Sequence, residues 1–153
     1  MELSIRKAEA ELKNVNLRTE NNGDERVLAV DLKLVANVSA KDVAPLFSDS
    51  PEQLDTMFDK GGNVLNPLFE QYYRVPIENI ELVIDDLKPF RGGRVKKGMR
   101  MVPRNGRRFE LKLTVQLSDV PDIRPLAKRL NEEVKITIIE RQQSLGLSVV
   151  ASN

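Results

Sequence analysis

Eight cationic side chains fall within residues 91–108: Arg91, Arg94, Lys96, Lys97, Arg100, Arg104, Arg107 and Arg108, with no acid among them. This segment carries +8 in a chain whose net charge is +1, so the remainder carries −7. Guanidinium and ammonium groups at this density supply charge-assisted donors for phosphate oxygens. Gly92, Gly93, Gly98 and Gly106 let the backbone turn with positive φ or approach a ligand closely. The pattern points to binding of a phosphate group or polyanion; the competing reading is a solvated hairpin whose charges pair with Asp and Glu elsewhere on the chain. Tyr72, Tyr73 and Arg74 add faces on which a base could stack, although such residues ahead of Pro76 also serve as core or loop packing. The candidate ligand-binding set is therefore Arg91, Arg94, Lys96, Lys97, Arg100, Arg104 and Arg107, with Tyr72, Tyr73 and Arg74. On a strand, Arg94, Lys96 and Arg100 share a parity and face one ligand, whereas Lys97 points away unless Gly98 bends the chain.

Other chemistry is thinly represented. The chain has no His, Cys or Trp, which removes thiolate zinc sites, Ser/His and Cys/His nucleophile pairs and disulfides. Acid/base work would fall to Asp, Glu, Lys or Tyr, and no convincing pair is visible. Asp85-Asp86 and Glu132-Glu133 are adjacent along strands, where neighbours point to opposite faces and do not share a hard cation. Asp24-Glu25 reads as turn chemistry. No catalytic residue, metal or cofactor is assigned, and the chain reads as a non-enzyme.

The elements that must carry the basic segment follow from periodicity. Leu28, Val30, Leu32, Leu34, Ala36 and Val38 alternate with polar positions and predict a strand with one buried face. Leu12, Val15 and Leu17 lead into Asn21-Asn22-Gly23-Asp24, so an N-terminal hairpin is expected. Ser39 caps a helix over residues 40–47, and Ser50-Pro51-Glu52 opens a second over 53–59. Residues 63–76 are apolar without a period. Ile80, Leu82 and Ile84 predict a further strand. Arg104-Asn105-Gly106-Arg107 holds the best short hairpin signal, followed by a strand through Phe109, Leu111, Leu113, Val115 and Leu117. Ser118-Asp119 then caps a helix with Ile123, Leu126, Ala127 and Leu130 on one face, and Val134, Ile136 and Ile138 form the last strand. The expected fold is α+β: one domain over residues 1–141, an antiparallel sheet of about five or six strands with two helical intervals, and a C-terminal tail, 142–153, that is flexible or inter-subunit.

At 153 residues, 41% apolar and 31% charged, the chain can bury one core. No secretory leader or membrane-length apolar run is visible, so a cytoplasmic location is expected. Enclosing a nucleotide-sized anion with one basic hairpin favours symmetric assembly, so a homo-oligomer is expected as well.

Residues 18–34, Arg-Thr-Glu-Asn-Asn-Gly-Asp-Glu-Arg-Val-Leu-Ala-Val-Asp-Leu-Lys-Leu, resemble a segment of small proteins of tailed bacteriophages, whose genes often lie among early or recombination functions. The similarity extends to the ending over residues 123–138, covers about a third of the chain and includes neither the basic segment nor a catalytic motif. It implies a phage origin. Together with the basic segment it suggests a non-catalytic protein that recognises a phosphate-bearing nucleotide, in the manner of a counter-defence protein that sequesters a host nucleotide signal. The alternatives are a single-stranded nucleic-acid-binding accessory of phage recombination or replication, and an inhibitor that binds a host protein.

Overall fold

A computed structural model describes residues 2–141. Eight strands form one antiparallel sheet: β1 (Ser4–Asn22), β2 (Glu25–Ser39), β3 (Gln71–Tyr73), β4 (Ile77–Ile84), β5 (Phe90–Val95), β6 (Met99–Arg104), β7 (Arg108–Leu117) and β8 (Glu133–Glu140). The order is β2-β1-β8-β4-β5-β7-β6-β3, and β2 also pairs with β7. That pairing runs from Val30 opposite Leu117 to Ser39 opposite Arg108 and closes β2-β1-β8-β4-β5-β7 into a six-stranded barrel, with β6 and β3 as two additional strands.

The barrel replaces the α+β open sheet expected from the sequence: 55% of the described residues are in strands and 12% in helices. The three α-helices among the described residues, α1 (Ala40–Val43), α2 (Glu52–Asp55) and α3 (Arg124–Ala127), are single turns, and Ala44–Phe47 is a 3-10 turn. The expected capping is present at the first of them, where the Lys41 N–H donates to Ser39 Oγ at 3.2 Å. A cap and a few apolar residues at helical spacing set a first turn, but most helical stability comes from packing an amphipathic face over several turns. Here the apolar side chains are used at the barrel's ends instead. Val43, Phe47, Met57 and Phe58 are buried beside Phe109, whose ring lies 6.0 Å from Phe47 and 5.7 Å from Phe58. Val120 and Leu126 are buried in the segment joining β7 to β8. The excess of strands over the expected number comes from β3 and β5. Neither shows alternation in sequence: β5 is Phe-Arg-Gly-Gly-Arg-Val and β3 only three residues.

Period two governs the rest. Val30, Leu32, Leu34, Ala36 and Val38 of β2, and Phe109, Leu111, Leu113, Val115 and Leu117 of β7, are buried and fill the barrel with Ile80, Leu82, Ile84, Ile136 and Ile138; Leu28 is half-buried. Residues standing opposite each other on antiparallel strands share a face, so the polar residues between them all point outward. Barrel curvature is taken up at bulges: the register of β1 shifts between Ile5 and Ala8 and again between Leu12 and Asn14, and that of β4 between Ile77 and Ile80. Gly93 of β5 is needed for close approach, since a Cβ there would lie 3.0 Å from Leu117 Cδ2 and 3.3 Å from Ile80 Cγ1. The C-terminal tail, 142–153, lies outside the described residues.

Candidate functional site: a lysine groove on the barrel wall

The far edge of β7 is divided. Its Val115 and Gln116 face β5, whereas Arg108 to Lys112 face β6. Residues 96–98 join β5 to β6 across this division. The Lys96 N–H donates to the Thr114 carbonyl at 2.9 Å, and the Gly98 N–H to the Tyr73 carbonyl at 2.7 Å. Gly98 has a φ of +93°, a conformation that an L side chain rarely adopts, and the bend brings Lys97 to the same side as Lys96.

A groove of about 370 Å³ opens at this point on the outer wall, lined by Lys13, Lys33, Lys96, Lys97, Lys112 and Thr114, with Val35 and Met99 among the apolar residues. Strand pairing explains the convergence. Lys33 stands opposite Thr114, and Lys112 opposite Val35, so the two lysines are diagonal neighbours on paired strands. Lys13 is the extra residue of the β1 bulge, between Leu12 opposite Leu34 and Asn14 opposite Lys33. Lys13 is bound to Glu11 at 2.9 Å. Among the described residues, Lys33, Lys96, Lys97 and Lys112 form no ion pair. Four neighbouring ammonium groups outside ion-pair distance of any acid among the described residues, with Glu70 felt by Lys112 at longer range, form a local positive field that an anion would neutralise.

The arginines of the basic segment behave differently. Arg91 donates to Glu81 at 3.0 Å, Arg94 lies 3.1 Å from Glu78, Arg100 Nε donates to Glu70 at 2.6 Å, and Arg104 lies 3.4 Å from Glu110. Arg107 sits over the Phe58 ring at 5.4 Å, 3.8 Å from Asp55, and Arg108 donates to Asn37. Each is thus held by a partner, as in the solvated-hairpin reading, and only Lys96 and Lys97 of the segment reach the groove. Tyr72 stands opposite Arg100, is half exposed at 50%, and donates its hydroxyl to Glu70 at 3.2 Å. The Arg100 guanidinium holds the Glu70 carboxyl below the usual carboxylate range. Tyr73 stands opposite Met99 and packs against the core, which raises its hydroxyl pKa, and Arg74 is exposed just beyond β3.

Sequence reading thus missed Lys13, Lys33, Lys112 and Thr114. Lys33 and Lys112 occupy outward positions of the two clearest strands, which parity alone identifies. Nothing in the sequence shows that these strands, some 80 residues apart, lie side by side. The adjacent acids have structural uses: Asp85 accepts from the Lys135 N–H and from Arg129, each at 2.9 Å. Among the described residues no group of His, Cys, Asp or Glu is arranged to hold a metal ion, and no helix is long and apolar enough to cross a membrane.

Among the described residues Glu81 is the buried charged one. Arg141 donates to it at 2.8 Å and Arg91 at 3.0 Å, tying the end of β8 to β4 and β5. The Arg141 hydrogen bond, helped by Arg91 and opposed by burial, keeps the Glu81 carboxyl below its ordinary value of 4.5. A carboxylate with a depressed folded-state pKa adds stability that is complete above the unfolded value and lost as pH falls through the folded one. Glu81→Gln should therefore cost about 1 kcal/mol near pH 7, a modest amount because both guanidiniums are solvent-screened. The cost should shrink as pH falls through the lowered folded-state value, below which the carboxyl is protonated in both states. Urea midpoints of the two proteins at pH 7 and pH 3 check this.

Comparison of the chain with family models, with curated proteins and with solved structures finds no match.

Proposed function

We propose that this protein is a non-catalytic binder of a phosphate-bearing nucleotide, held by charge in the lysine groove. The observation that carries this reading is the convergence of Lys33, Lys96, Lys97 and Lys112 without acid partners among the described residues. The groove presents ammonium donors and the Thr114 hydroxyl, groups suited to phosphate oxygens. Lysine ammoniums act as mobile point charges, so the groove selects charge and spacing more than one fixed oxygen geometry. Sequestration, in which the ligand is retained rather than transformed, requires no more than this. Nucleotides abound in the cytoplasm, and the resemblance of residues 18–34 to small phage proteins favours action inside an infected cell. Calorimetry at low salt against a panel of linear and cyclic nucleotides tests the reading. Binding should weaken as salt rises, because the contacts are ionic. Absence of heat with every member of the panel overturns it.

A further inference from the structure

The groove does not end at the lysines. Tyr72, Arg100, Lys112 and Val35 stand opposite one another in turn across β3, β6, β7 and β2, forming one outward row that meets the groove at Lys112. A second row, two residues further along β7, runs through Thr114, Lys33 and Asn14 and ends beside the bulged Lys13. From Tyr72 on β3 to Lys13 on β1 there are four strand spacings, about 19 Å at the usual separation. That length exceeds what one nucleotide's phosphates need, and its two ends differ chemically.

At the β3 end the charge is cancelled, since Glu70 engages both Arg100 and the Tyr72 hydroxyl, leaving a half-exposed ring in a neutral setting. At the other end the lysines are in excess. Along the same wall the neighbouring depression is lined by Glu9, Glu11 and Glu110, paired with Lys135, Lys13 and Arg104, and by Glu133, so the excess of positive charge does not continue into it. A ligand matching this layout is long, unbranched and flexible, bears several phosphates and exposes at least one base. Resting on the nucleotide-binding reading above, we propose that the groove's ligand is a single-stranded nucleic acid of about four nucleotides crossing the strands, with phosphates over the lysines and a base stacked on Tyr72. A duplex satisfies the lysines but keeps its bases paired and away from the ring.

Anisotropy of end-labelled oligothymidylates of one to eight residues, compared with a labelled hairpin duplex, tests this on the whole chain. Affinity should rise up to about four residues and then level, with a log–log salt slope of about −2 for three phosphates. Tyr72→Ser should weaken the tetramer about ten-fold and Tyr72→Phe should leave it near the starting value, as stacking requires; thermal melts establish that both variants fold. Equal affinity for mononucleotide and tetramer overturns the strand proposal and leaves nucleotide binding standing. Duplex binding as tight as the tetramer, or a Tyr72→Ser variant unchanged on the tetramer, also overturns it. No binding at any length, together with no heat from the nucleotide panel, overturns both.

Discussion

The double substitution Lys33→Glu/Lys112→Glu is expected to raise the dissociation constant for a nucleotide or oligonucleotide by about 100-fold or more while leaving the melting temperature within a few degrees. Both residues are exposed, lie mid-strand on the outer wall and form no ion pair among the described residues, so their loss breaks no salt bridge and gives up only the longer-range attraction of Lys112 for Glu70. Charged hydrogen bonds contribute about 1.5–3 kcal/mol each, and reversal adds repulsion to their loss. The control is Arg94→Glu. It shifts net charge in the same direction, by half as much, but lies outside the groove beside Glu78, and should change affinity by less than about three-fold, as expected for a screened rim charge. Calorimetry on the three proteins decides between a groove and a general electrostatic attraction. An equal loss in Arg94→Glu would mean that no particular lysines matter.

Phe109→Ala should have the largest effect on stability, a loss of about 3–5 kcal/mol. The ring is fully buried at the start of β7, 6.0 Å from the Phe47 ring and edge-on to Phe58 at 5.7 Å, and so joins the barrel to the turns that cover its end. Removing it leaves a cavity that two separate loop segments would have to collapse to fill. Against a typical total of about 5–15 kcal/mol, the loss would shift the urea midpoint strongly. A loss below about 1 kcal/mol would show that the covering turns relax onto the barrel without it.

The strands with an alternating face were legible in the sequence, β3 and β5 excepted, because alternation reports burial of one face directly. It placed the core positions of β2, β4, β7 and β8, and the Asn-Gly signal marked the turn at residues 105–107. Closure was not legible, because it depends on β2 meeting β7 and β8 entering between β1 and β4, and no local pattern encodes which edges meet. Three capped segments with helical spacing read as longer helices, yet their apolar residues are consumed within one turn at the barrel ends. The same limit applies to the site. The basic segment drew attention by its charge density, but its arginines each have nearby partners. The groove is completed by lysines that sit singly on other strands and become neighbours only through non-local pairing.

The position of β8 carries a consequence for how the chain reaches this state. Ser4 at the start of β1 stands opposite Ile139, and Glu140 opposite Ile80, so the seam of the barrel is sealed by β8, which follows the other seven described strands along the chain. Until then β1 and β4 each expose an unpaired edge able to recruit strands from other molecules. Pairing over such separations must meet the entropy of closing a long loop before it gains contacts, which slows folding. The β1–β2 hairpin, whose partners are sequence neighbours, can form early and offer β7 a template, whereas a chain truncated before residue 133 would keep two sticky edges and be prone to aggregate.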